Sequence, residues 1–519
     1  MSTKWLKDAV FYEIYPQSFY DTNGDGIGDF NGIIEKLDYI KSLGCNALWI
    51  NPCFDSPFKD AGYDVRDYKK VAARYGTNND LYRLFGEAHK KGIRVLLDLV
   101  PGHTSEEHAW FRESQKAEKN EYSNRYIWTD FCFQGAKGMG FIGGESERSA
   151  TYILNFFKCQ PALNYGFLKT DEHWQLPVDH PDAIATREAM KDVMRFWLDH
   201  GCDGFRVDMA ASLVKNDDEK KSGTSAIWRN IREMLDAEYP DAAMVSEWSN
   251  PPLALRAGYH MDFYLNHPGT GYSSLMRDYQ KHFSVVSDEA DNSYFKKDAA
   301  DRDISRFLDE YMAWYQDTKD IGYISMLTCN HDTVRPKFNL DDTELKLAYA
   351  FLFTMPGVPF LYYGDEIGMR YYDLPTKEGG YFRTGSRTPM QWTGGKNLGF
   401  SEGCPDSLYL PVDPAEDAPT VEAQEADPAS LLNTVRAVLE LRHAQEDLQA
   451  DGAFEPLCTG RDEPFVYRRG ALLVAVNPSG EAKTVKVDAE GREALFTIGC
   501  AETGAEGLKL GAQSFVVLK

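Results

Sequence analysis

The sequence is short of positive charge. Its 56 Lys and Arg face 80 Asp and Glu, which gives a formal net charge of −24 at pH 7. Proteins that bind nucleic acids displace counterions from the phosphates with clustered Lys and Arg. The deficit of basic residues therefore excludes nucleic acid as the expected partner, and most of the acidic excess is expected to be solvated surface.

The sequence also lacks long hydrophobic runs. No stretch approaches the roughly 18 consecutive apolar residues of a membrane-spanning helix, and residues 1–17 contain no apolar core of a signal peptide. The nine cysteines are scattered and form no CxxC pair, which is typical of reduced thiols. We therefore expect a cytoplasmic protein with no membrane partner, and the oligomeric state stays open. A secreted protein whose signal peptide has been removed is the alternative.

Eight short apolar runs alternate with stretches of helical periodicity, several of which end at a glycine. This alternation predicts a parallel sheet covered by helices, and closure into a (β/α)8 TIM barrel is its simplest form. An open, doubly wound sheet is the alternative. The predicted strand regions are Val10–Phe19, Ala47–Pro52, Arg94–Val100, Gly204–Met209, Ala243–Trp248, Met261–Asn266, Ile324–Asn330 and Phe360–Glu366.

The spacing of the strands predicts two further domains. About 100 residues separate the third run from the fourth, far more than one helix needs, which indicates a small inserted domain at residues 102–175. After a strong helical pattern at Leu431–Leu448, alternating strand patterns indicate an all-β C-terminal sandwich at residues 450–519. The barrel itself is then formed by residues 1–101 and 176–449.

Charged residues lie at several predicted strand ends, where barrel enzymes carry their active sites. In the fourth run, period-two alternation places Arg206 and Asp208 on one side of the strand. Alone, this pair has a structural interpretation as a buried ion pair. However, Glu247 ends the fifth run and Asp332 follows the seventh, so three carboxylates meet at one edge, and gathering them there costs desolvation energy.

Glycoside hydrolysis is a chemistry that uses such carboxylates, one as the nucleophile and one as the proton donor. A metal site is a competing explanation for a cluster of Asp and His, but Arg206 would repel a cation and the sequence has no HExxH spacing. A serine hydrolase is a second alternative, although no GxSxG turn follows a predicted strand.

The motifs resemble those of the α-amylase family of retaining glycoside hydrolases and transglycosidases, and most closely its oligo-1,6-glucosidase, α-glucosidase and trehalose synthase group. They occur in the family's order along nearly the whole chain. They are Gly24-Asp-Gly-Ile-Gly-Asp-Phe-Asn-Gly-Ile33, Ala61-Gly-Tyr-Asp64, Asp98-Leu-Val-Pro-Gly-His103, Gly204-Phe-Arg-Val-Asp208, Glu247, Asn330-His-Asp332, Tyr362-Tyr-Gly-Asp-Glu366 and Arg387-Thr-Pro-Met-Gln-Trp392.

The resemblance implies a role for each of the three carboxylates. Asp208 matches the nucleophile that forms a covalent glucosyl intermediate, and Arg206 would hold it ionised. Glu247 matches the general acid and base, and Asp332 matches the carboxylate that binds sugar hydroxyls in the transition state. A retaining mechanism further predicts that the carboxyl groups of Asp208 and Glu247 lie about 5–5.5 Å apart.

The same resemblance assigns four residues to the sugar that is cleaved. Asp60, His103 and His331 would bind its hydroxyls, and Tyr63 would stack on its ring. The chain departs from the family at two places. Gly102 replaces an Asn that supports a calcium ion beside the inserted domain in many relatives, and Ala162 replaces the acid of the inserted-domain motif.

A loop after the first strand has the pattern of a cation site. Oxygen-bearing side chains at its first, third, fifth and ninth positions, a glycine at the sixth and a backbone carbonyl at the seventh resemble most of a calcium loop. The resembling glucosidases bind one Ca²⁺ or Mg²⁺ at a similar loop. The alternative is a loop satisfied by its own Asx turns. The predicted ligands are Asp21, Asn23, Asp25, Ile27 and Asp29.

The expected function is hydrolysis of α-glucosidic bonds in malto-oligosaccharides or short α-glucans. Met209 follows the predicted nucleophile, where resembling α-1,6-specific enzymes carry Val, and this favours α-1,4 bonds. A transglycosylase or isomerase such as a trehalose synthase would use the same residues. An α-1,6-specific oligoglucosidase and a non-enzymatic binding barrel are the remaining alternatives.

Overall fold

Eight parallel strands form the centre of the molecule. The computed structural model describes residues 3–267, 269–277, 292–379 and 383–519. The strands are β1 (Phe11–Ile14), β2 (Ala47–Ile50), β3 (Arg94–Leu99), β4 (Gly204–Val207), β5 (Ala243–Ser246), β6 (Met261–Phe263), β7 (Tyr323–Ser325) and β8 (Phe360–Tyr362). The sheet runs in the order β7-β6-β5-β4-β3-β2-β1-β8, and a bridge from Leu327 to Phe360 joins its two edges. The predicted (β/α)8 barrel is therefore confirmed, and the open sheet is not formed.

The lower half of the barrel interior is apolar. Trp49, Leu96 and Phe263 belong to one buried cluster, and the rings of Phe11 and Phe360 stack at 4.3 Å. Strands buried on both faces are the reason that the sequence shows apolar runs instead of strict alternation. This packed floor leaves the carboxyl ends of the strands as the place for a site.

The helices cover the outside of the barrel. The helical periodicity of Ile33–Leu43 corresponds to parts of two short helices and not to one, because the non-helical backbone of Lys36 (φ −99°, ψ 4°) separates them. The α-helices are Phe30–Glu35, Leu37–Ser42, Asn78–Lys90, Ala109–Ser114, Pro181–Asp199, Ser222–Glu238, Pro251–Arg256, Ser273–Met276, Ser305–Thr318, Asp342–Thr354, Val421–Glu425 and Leu431–Ala444. Within the described ranges, none is long and apolar enough to cross a membrane.

Residues 102–175 pack over the barrel between β3 and β4. They contain an antiparallel ribbon of Phe141–Gly143 and Thr151–Ile153, and a small apolar cluster that includes Ile127 and Trp174. His103 bridges to Ala162, so the segment lies directly above the strand ends. Its limits stay predictions, as do those of the barrel, whose predicted segment 176–449 includes residues 268, 278–291 and 380–382 outside the described ranges.

The C-terminal strands form two antiparallel sheets around a shared core. The strands are β9 (Phe454–Cys458), β10 (Phe465–Arg469), β11 (Leu472–Asn477), β12 (Lys483–Val485), β13 (Ala494–Ile498), β14 (Ala501–Gly504), β15 (Gly507–Leu510) and β16 (Ser514–Leu518). They run in the orders β9-β10-β11-β16-β13 and β12-β15-β14. Two of these strands have weak sequence patterns, because β9 contains Pro456 and because β14 is largely polar and exposed.

Candidate active site

A cavity of about 290 Å³ lies at the carboxyl ends of the barrel strands, beneath the inserted segment. Every strand from β2 to β8 is followed by a loop that contributes to its wall. Its lining includes six of the residues predicted from the sequence, and Arg206 and His331 lie behind it. The lining residues are Asp60, Tyr63, His103, Phe156, Asp208, Met209, Ala211, Ser212, Glu247, Trp248, Leu265, His267, Asp332 and Arg383.

Arg206 is the central cation of the site. Its side chain is buried on β4, and its Nη1 lies 2.8 Å from Asp98 Oδ1 and 3.1 Å from Asp208 Oδ1. Its Nη2 lies 3.0 Å from Glu247 Oε2. One guanidinium thus joins carboxylates from the ends of β3, β4 and β5, and this pairing offsets the cost of burying them.

Asp208 and Glu247 interact with each other as well as with Arg206. Burial and the Glu247 carboxylate raise the pKa of Asp208 well above its usual range, and Arg206 opposes this shift. Two adjacent carboxyl groups repel each other when both are ionised, which favours a proton on one of them. The pair can therefore supply one carboxylate and one proton donor at the same time.

Asp332 is held in its ionised form. Its Oδ1 lies 2.9 Å from Arg383 Nη1 and 2.7 Å from Arg387 Nη2, and its Oδ2 lies 3.3 Å from His331 Nε2. Burial alone would raise its pKa, but His331, Arg383 and Arg387 together lower it well below the usual range. Asp332 can therefore accept hydrogen bonds from a ligand in the cavity across a wide pH range.

His331 is buried beneath the cavity wall, and Tyr63 lies on it. The two rings stack at 5.5 Å with 15° between their planes, and Tyr63 Oη lies 2.6 Å from His331 Nε2. The other nitrogen, Nδ1, lies 2.9 Å from Glu13 Oε1. Direct contact between His331 and a sugar stays a prediction, because both ring nitrogens already face protein partners.

Both ring nitrogens of His103 have hydrogen-bond partners in the protein. Its Nε2 lies 3.1 Å from the carbonyl of Tyr63, and its Nδ1 lies 3.0 Å from Asn155 Nδ2. Asn155 Oδ1 in turn accepts a hydrogen bond of 2.9 Å from Lys215 Nζ. Burial lowers the pKa of His103 to about 4. The imidazole is therefore neutral, with Nδ1 as the acceptor.

Asp60 and Arg383 together form the wall at one end of the cavity. The Arg383 guanidinium bonds to Asp60 as well as to Asp332, and Gln160 Nε2 donates to Asp60 Oδ2 at 2.6 Å. The loops after β2, β7 and β8 are thereby joined across one end of the cavity. The Asp60–Arg383 ion pair therefore forms a wall at that end.

The backbone after Asp208 is unusual. Met209 has φ +44°, a left-handed conformation that costs a residue with a side chain about 1 kcal/mol or more. In this conformation its N–H donates to Glu247 Oε2 at 3.0 Å, while its side chain lines the cavity. The strained residue therefore orients one of the two central carboxylates.

Four residues of this network were not singled out from the sequence. Arg383 lies in an irregular stretch without periodicity, so no local pattern indicates it. Asn155 and Lys215 act through His103 and depend on contacts between distant segments. Glu13 could have been noticed, since it is a charged residue within the apolar run Val10–Phe19.

The predicted metal loop curls through a series of Asx turns. Asp21 Oδ1 accepts from the N–H of Asn23 at 3.1 Å, Asn23 Oδ1 from that of Asp25 at 2.9 Å, and Asp25 Oδ1 from that of Ile27 at 2.9 Å. Asp29 caps the first helix by accepting from the N–H of Gly32 at 2.8 Å. No group of three His, Cys, Asp or Glu side chains among the described residues is arranged to hold a metal. The oxygen-only donor set still suits a hard cation, and the ligand assignment stays a prediction.

A barrel whose strand ends bring together a paired acid and carboxylate, a third ionised carboxylate and a guanidinium defines an enzyme of the glycoside hydrolase class or a close relative of it. Comparison with known proteins agrees. Residues 13–451 match the family model described as the alpha amylase catalytic domain. The chain therefore belongs to the alpha-amylase family, as its motifs indicate.

Several relatives are similar over most of their length. The trehalose synthase/amylase TreS of Mycolicibacterium smegmatis is 35% identical, over 93% of this chain and 83% of the relative. An oligo-1,6-glucosidase of Heyndrickxia coagulans is 33% identical over 92% of both chains. The solved structure of the trehalulose synthase MutB from Pseudomonas mesoacidophila MX-45 superposes with a TM-score of 0.81 at 26% identity, over 99% of both chains.

Proposed function

We propose that this enzyme is a retaining α-glucosidase that removes the terminal glucose from malto-oligosaccharides or short α-glucans. The observation that carries this proposal is a cavity of about 290 Å³ with three carboxylates in its wall and the Asp60–Arg383 ion pair across one end. This volume lies at the lower limit for small-molecule sites. A pocket of that size with a wall across one end suits the end of a short sugar and not the middle of a polymer.

In the proposed reaction, Asp208 Oδ attacks the anomeric carbon while Glu247 gives its proton to the glycosidic oxygen. The C1–O bond breaks, the shortened sugar leaves, and glucose remains bonded to Asp208. Glu247 then takes a proton from water, whose oxygen attacks C1 and releases Asp208. The contact between Asp208 and Glu247 and the Arg206 guanidinium that pairs with both support these roles.

Asp208→Ala tests the nucleophile. We expect turnover of maltose to be lost while the far-UV circular dichroism and the thermal midpoint stay close to those of the wild type. Substantial remaining activity would show that another group attacks C1. NMR of the first product of the wild type tests retention, since a retaining enzyme releases the α-anomer of glucose.

A transglycosylase or isomerase is the second candidate. It is favoured by the similarity to a trehalose synthase/amylase and to a trehalulose synthase. In that case a sugar hydroxyl, and not water, would take the glucose from Asp208. Incubation with maltose separates the two reactions: release of two glucose molecules supports the hydrolase, and formation of trehalose without net hydrolysis contradicts it.

The preference for α-1,4 bonds is the finer part of the proposal, since an oligo-1,6-glucosidase is also similar to this chain. Met209 supports it only through its position in the cavity wall beside Asp208. We expect a higher kcat/KM for maltose than for isomaltose. Met209→Val should shift this ratio toward isomaltose, and an unchanged ratio would show that Met209 only packs.

We further propose that the loop Asp21–Asp29 binds one Ca²⁺ or Mg²⁺ through Asp21, Asn23, Asp25, the Ile27 carbonyl and Asp29, with no part in the reaction. The ion would stabilise the fold of the loop. Calorimetry should show a higher thermal midpoint with Ca²⁺ than with a chelator, and Asp25→Ala should remove the difference. An identical midpoint in both conditions would contradict the proposal.

A cytoplasmic location is also part of the proposal. All nine cysteines are free in the structure, and five of them are buried. Free buried thiols support a reducing compartment.

A further inference from the structure

Glu13 is a buried carboxylate outside the cavity wall. It lies in the middle of β1 and is inaccessible to solvent. Its Oε1 lies 2.9 Å from His331 Nδ1 and accepts a hydrogen bond of 3.1 Å from Asn51 Nδ2. Its Oε2 makes no hydrogen bond with any described residue. A charge at this depth costs stability, so the carboxylate needs a reason beyond folding.

The proton positions around His331 follow from its partners. Tyr63 has one hydroxyl proton, and that proton lies toward Asp98 Oδ2 at 3.1 Å. The Tyr63 oxygen can therefore only accept from His331 Nε2, and Asp332 Oδ2, 3.3 Å away, is an acceptor as well. On the other side of the ring, Nδ1 faces Glu13 Oε1 at 2.9 Å and the Asn51 amide nitrogen at 3.1 Å. The ionised acceptor at the shorter distance favours a proton on Nδ1, which is donated to Glu13. Both ring nitrogens consequently carry protons.

We propose that Glu13 is a positioning residue for the reaction: its carboxylate keeps His331 doubly protonated, and His331 then holds Asp332 ionised and Tyr63 in place at the cavity wall. The inference rests on the proposed function for the roles of Asp332 and Tyr63 toward the sugar. Glu13 itself does not reach the cavity.

The surroundings of His331 favour the charged imidazole. Burial lowers the pKa of His331, but Asp332 and Glu13 outweigh it, so the pKa is raised overall. Burial raises the pKa of Glu13, and His331 opposes that shift. The ion pair between the Glu13 carboxylate and the doubly protonated His331 therefore exists in a pH window that ends in acid when Glu13 takes a proton and in alkali when His331 loses one. The charged and titratable groups facing His331 are Glu13, Tyr15, Tyr63, Asp98, Arg206, Asp332 and Arg387.

Glu13→Gln removes the charge and keeps the shape. ¹⁵N NMR of the imidazoles reads the protonation of His331 directly, with His331→Asn identifying its signals. An opposite charge at this distance shifts a pKa by about one to three. We therefore expect the pKa at which His331 loses its second proton to be lower by about that amount in E13Q than in the wild type. The alkaline limb of kcat/KM for maltose should move in the same direction.

Glu366→Gln is the matched control. Glu366 is equally buried, its Oε1 accepts from Tyr12 and Tyr39 at 2.7 Å each, and its Oε2 also lacks a partner among the described residues. It has no contact with His331. We expect E366Q to leave both the His331 titration and the alkaline limb of kcat/KM unchanged. The control therefore separates the effect of losing any buried carboxylate from the effect of losing Glu13.

Two results would overturn the inference. One is a His331 titration in E13Q that equals that of the wild type or of E366Q. The other is a wild-type His331 with only one protonated nitrogen at neutral pH, which decides the matter even if E13Q does not fold. Because the NMR measurement needs no substrate, it holds if the chain turns out not to act on α-glucosides, and the two proposals can fail separately.

Discussion

At the scale of single residues, Gly102 shows how a missing side chain can shape the site. A Cβ atom at this position would lie 2.8 Å from Asn155 Nδ2, closer than two such atoms can pack. Asn155 uses this space to connect His103 with Lys215. The departure from the family at Gly102 and the amide at Asn155 are therefore two parts of one arrangement, which fixes the tautomer of His103.

This arrangement predicts that substitutions at the two positions are coupled. Gly102→Ala should displace the Asn155 amide and lower kcat/KM for maltose, and Asn155→Ala should do so as well. In the double variant the added methyl group meets no amide, so the effects should fall short of additivity by about 1 kcal/mol or more. Additive effects on kcat/KM would contradict the coupling.

Gly86→Ala provides the comparison for this cycle. Gly86 lies in the helix Asn78–Lys90, and a Cβ there meets nothing within 4 Å. Alanine favours the helix by about 0.5–1 kcal/mol over glycine. We expect G86A to raise the thermal midpoint slightly and to leave kcat/KM unchanged, with or without the Asn155 substitution.

At the scale of elements, the loops after β2, β7 and β8 depend on one guanidinium. Arg383→Ala should open the wall that Arg383 forms with Asp60, while Asp332 keeps Arg387 and His331 as partners. We expect kcat/KM for maltose to fall and the preference to shift toward longer malto-oligosaccharides. A uniform loss for every chain length would show that Arg383 does not limit the pocket. Asp60→Asn should give a similar shift.

The contact between two helices of the barrel also depends on a buried arginine. Arg442, in the helix Leu431–Ala444, donates to the carbonyls of Phe353, Met355 and Gly357 at 2.7–3.0 Å, where the helix Asp342–Thr354 ends. Unpaired buried carbonyls cost roughly 1–3 kcal/mol. Arg442→Met should therefore lower the free energy of unfolding in urea by about 3 kcal/mol. Glu440→Gln on the exposed face of the same helix should change it by less than about 1 kcal/mol.

The elements differ in how far local sequence could predict them. The barrel strands are apolar runs between helices that end at glycines, so the hydrophobic period and the length of each run were sufficient to predict them. Pro456 in β9 and the polar Ala501–Gly504 of β14 conceal strands that exist because neighbouring strands pair with them. The same distinction holds in the site. Asp208, Glu247 and Asp332 follow strands and could be predicted, whereas Arg383 and Asn155 reach the site through long-range contacts that no local pattern encodes.

At the scale of the whole molecule, the barrel and the C-terminal sheets share one core. Phe351 of the barrel lies 6.1 Å from the rings of both Phe465 and Tyr467, and Arg469 donates to the carbonyl of Gln449 at 2.7 Å. Phe515 of β16 belongs to the same buried cluster as the barrel helices. The C-terminal sheets therefore complete the barrel, and we expect the two parts to unfold together.

The distribution of tryptophan makes this cooperativity measurable. All 10 tryptophans precede residue 450, so tryptophan fluorescence reports on the barrel and the inserted segment alone. Phe515→Ala removes a buried ring from the C-terminal sheet, at a cost of about 3–5 kcal/mol. If the core is shared, the urea midpoint read by fluorescence falls together with that read by circular dichroism. Glu502→Ala on the exposed β14 should move neither. A fluorescence midpoint that stays in place while circular dichroism reports early loss of strand would mean that the C-terminal sheets unfold on their own.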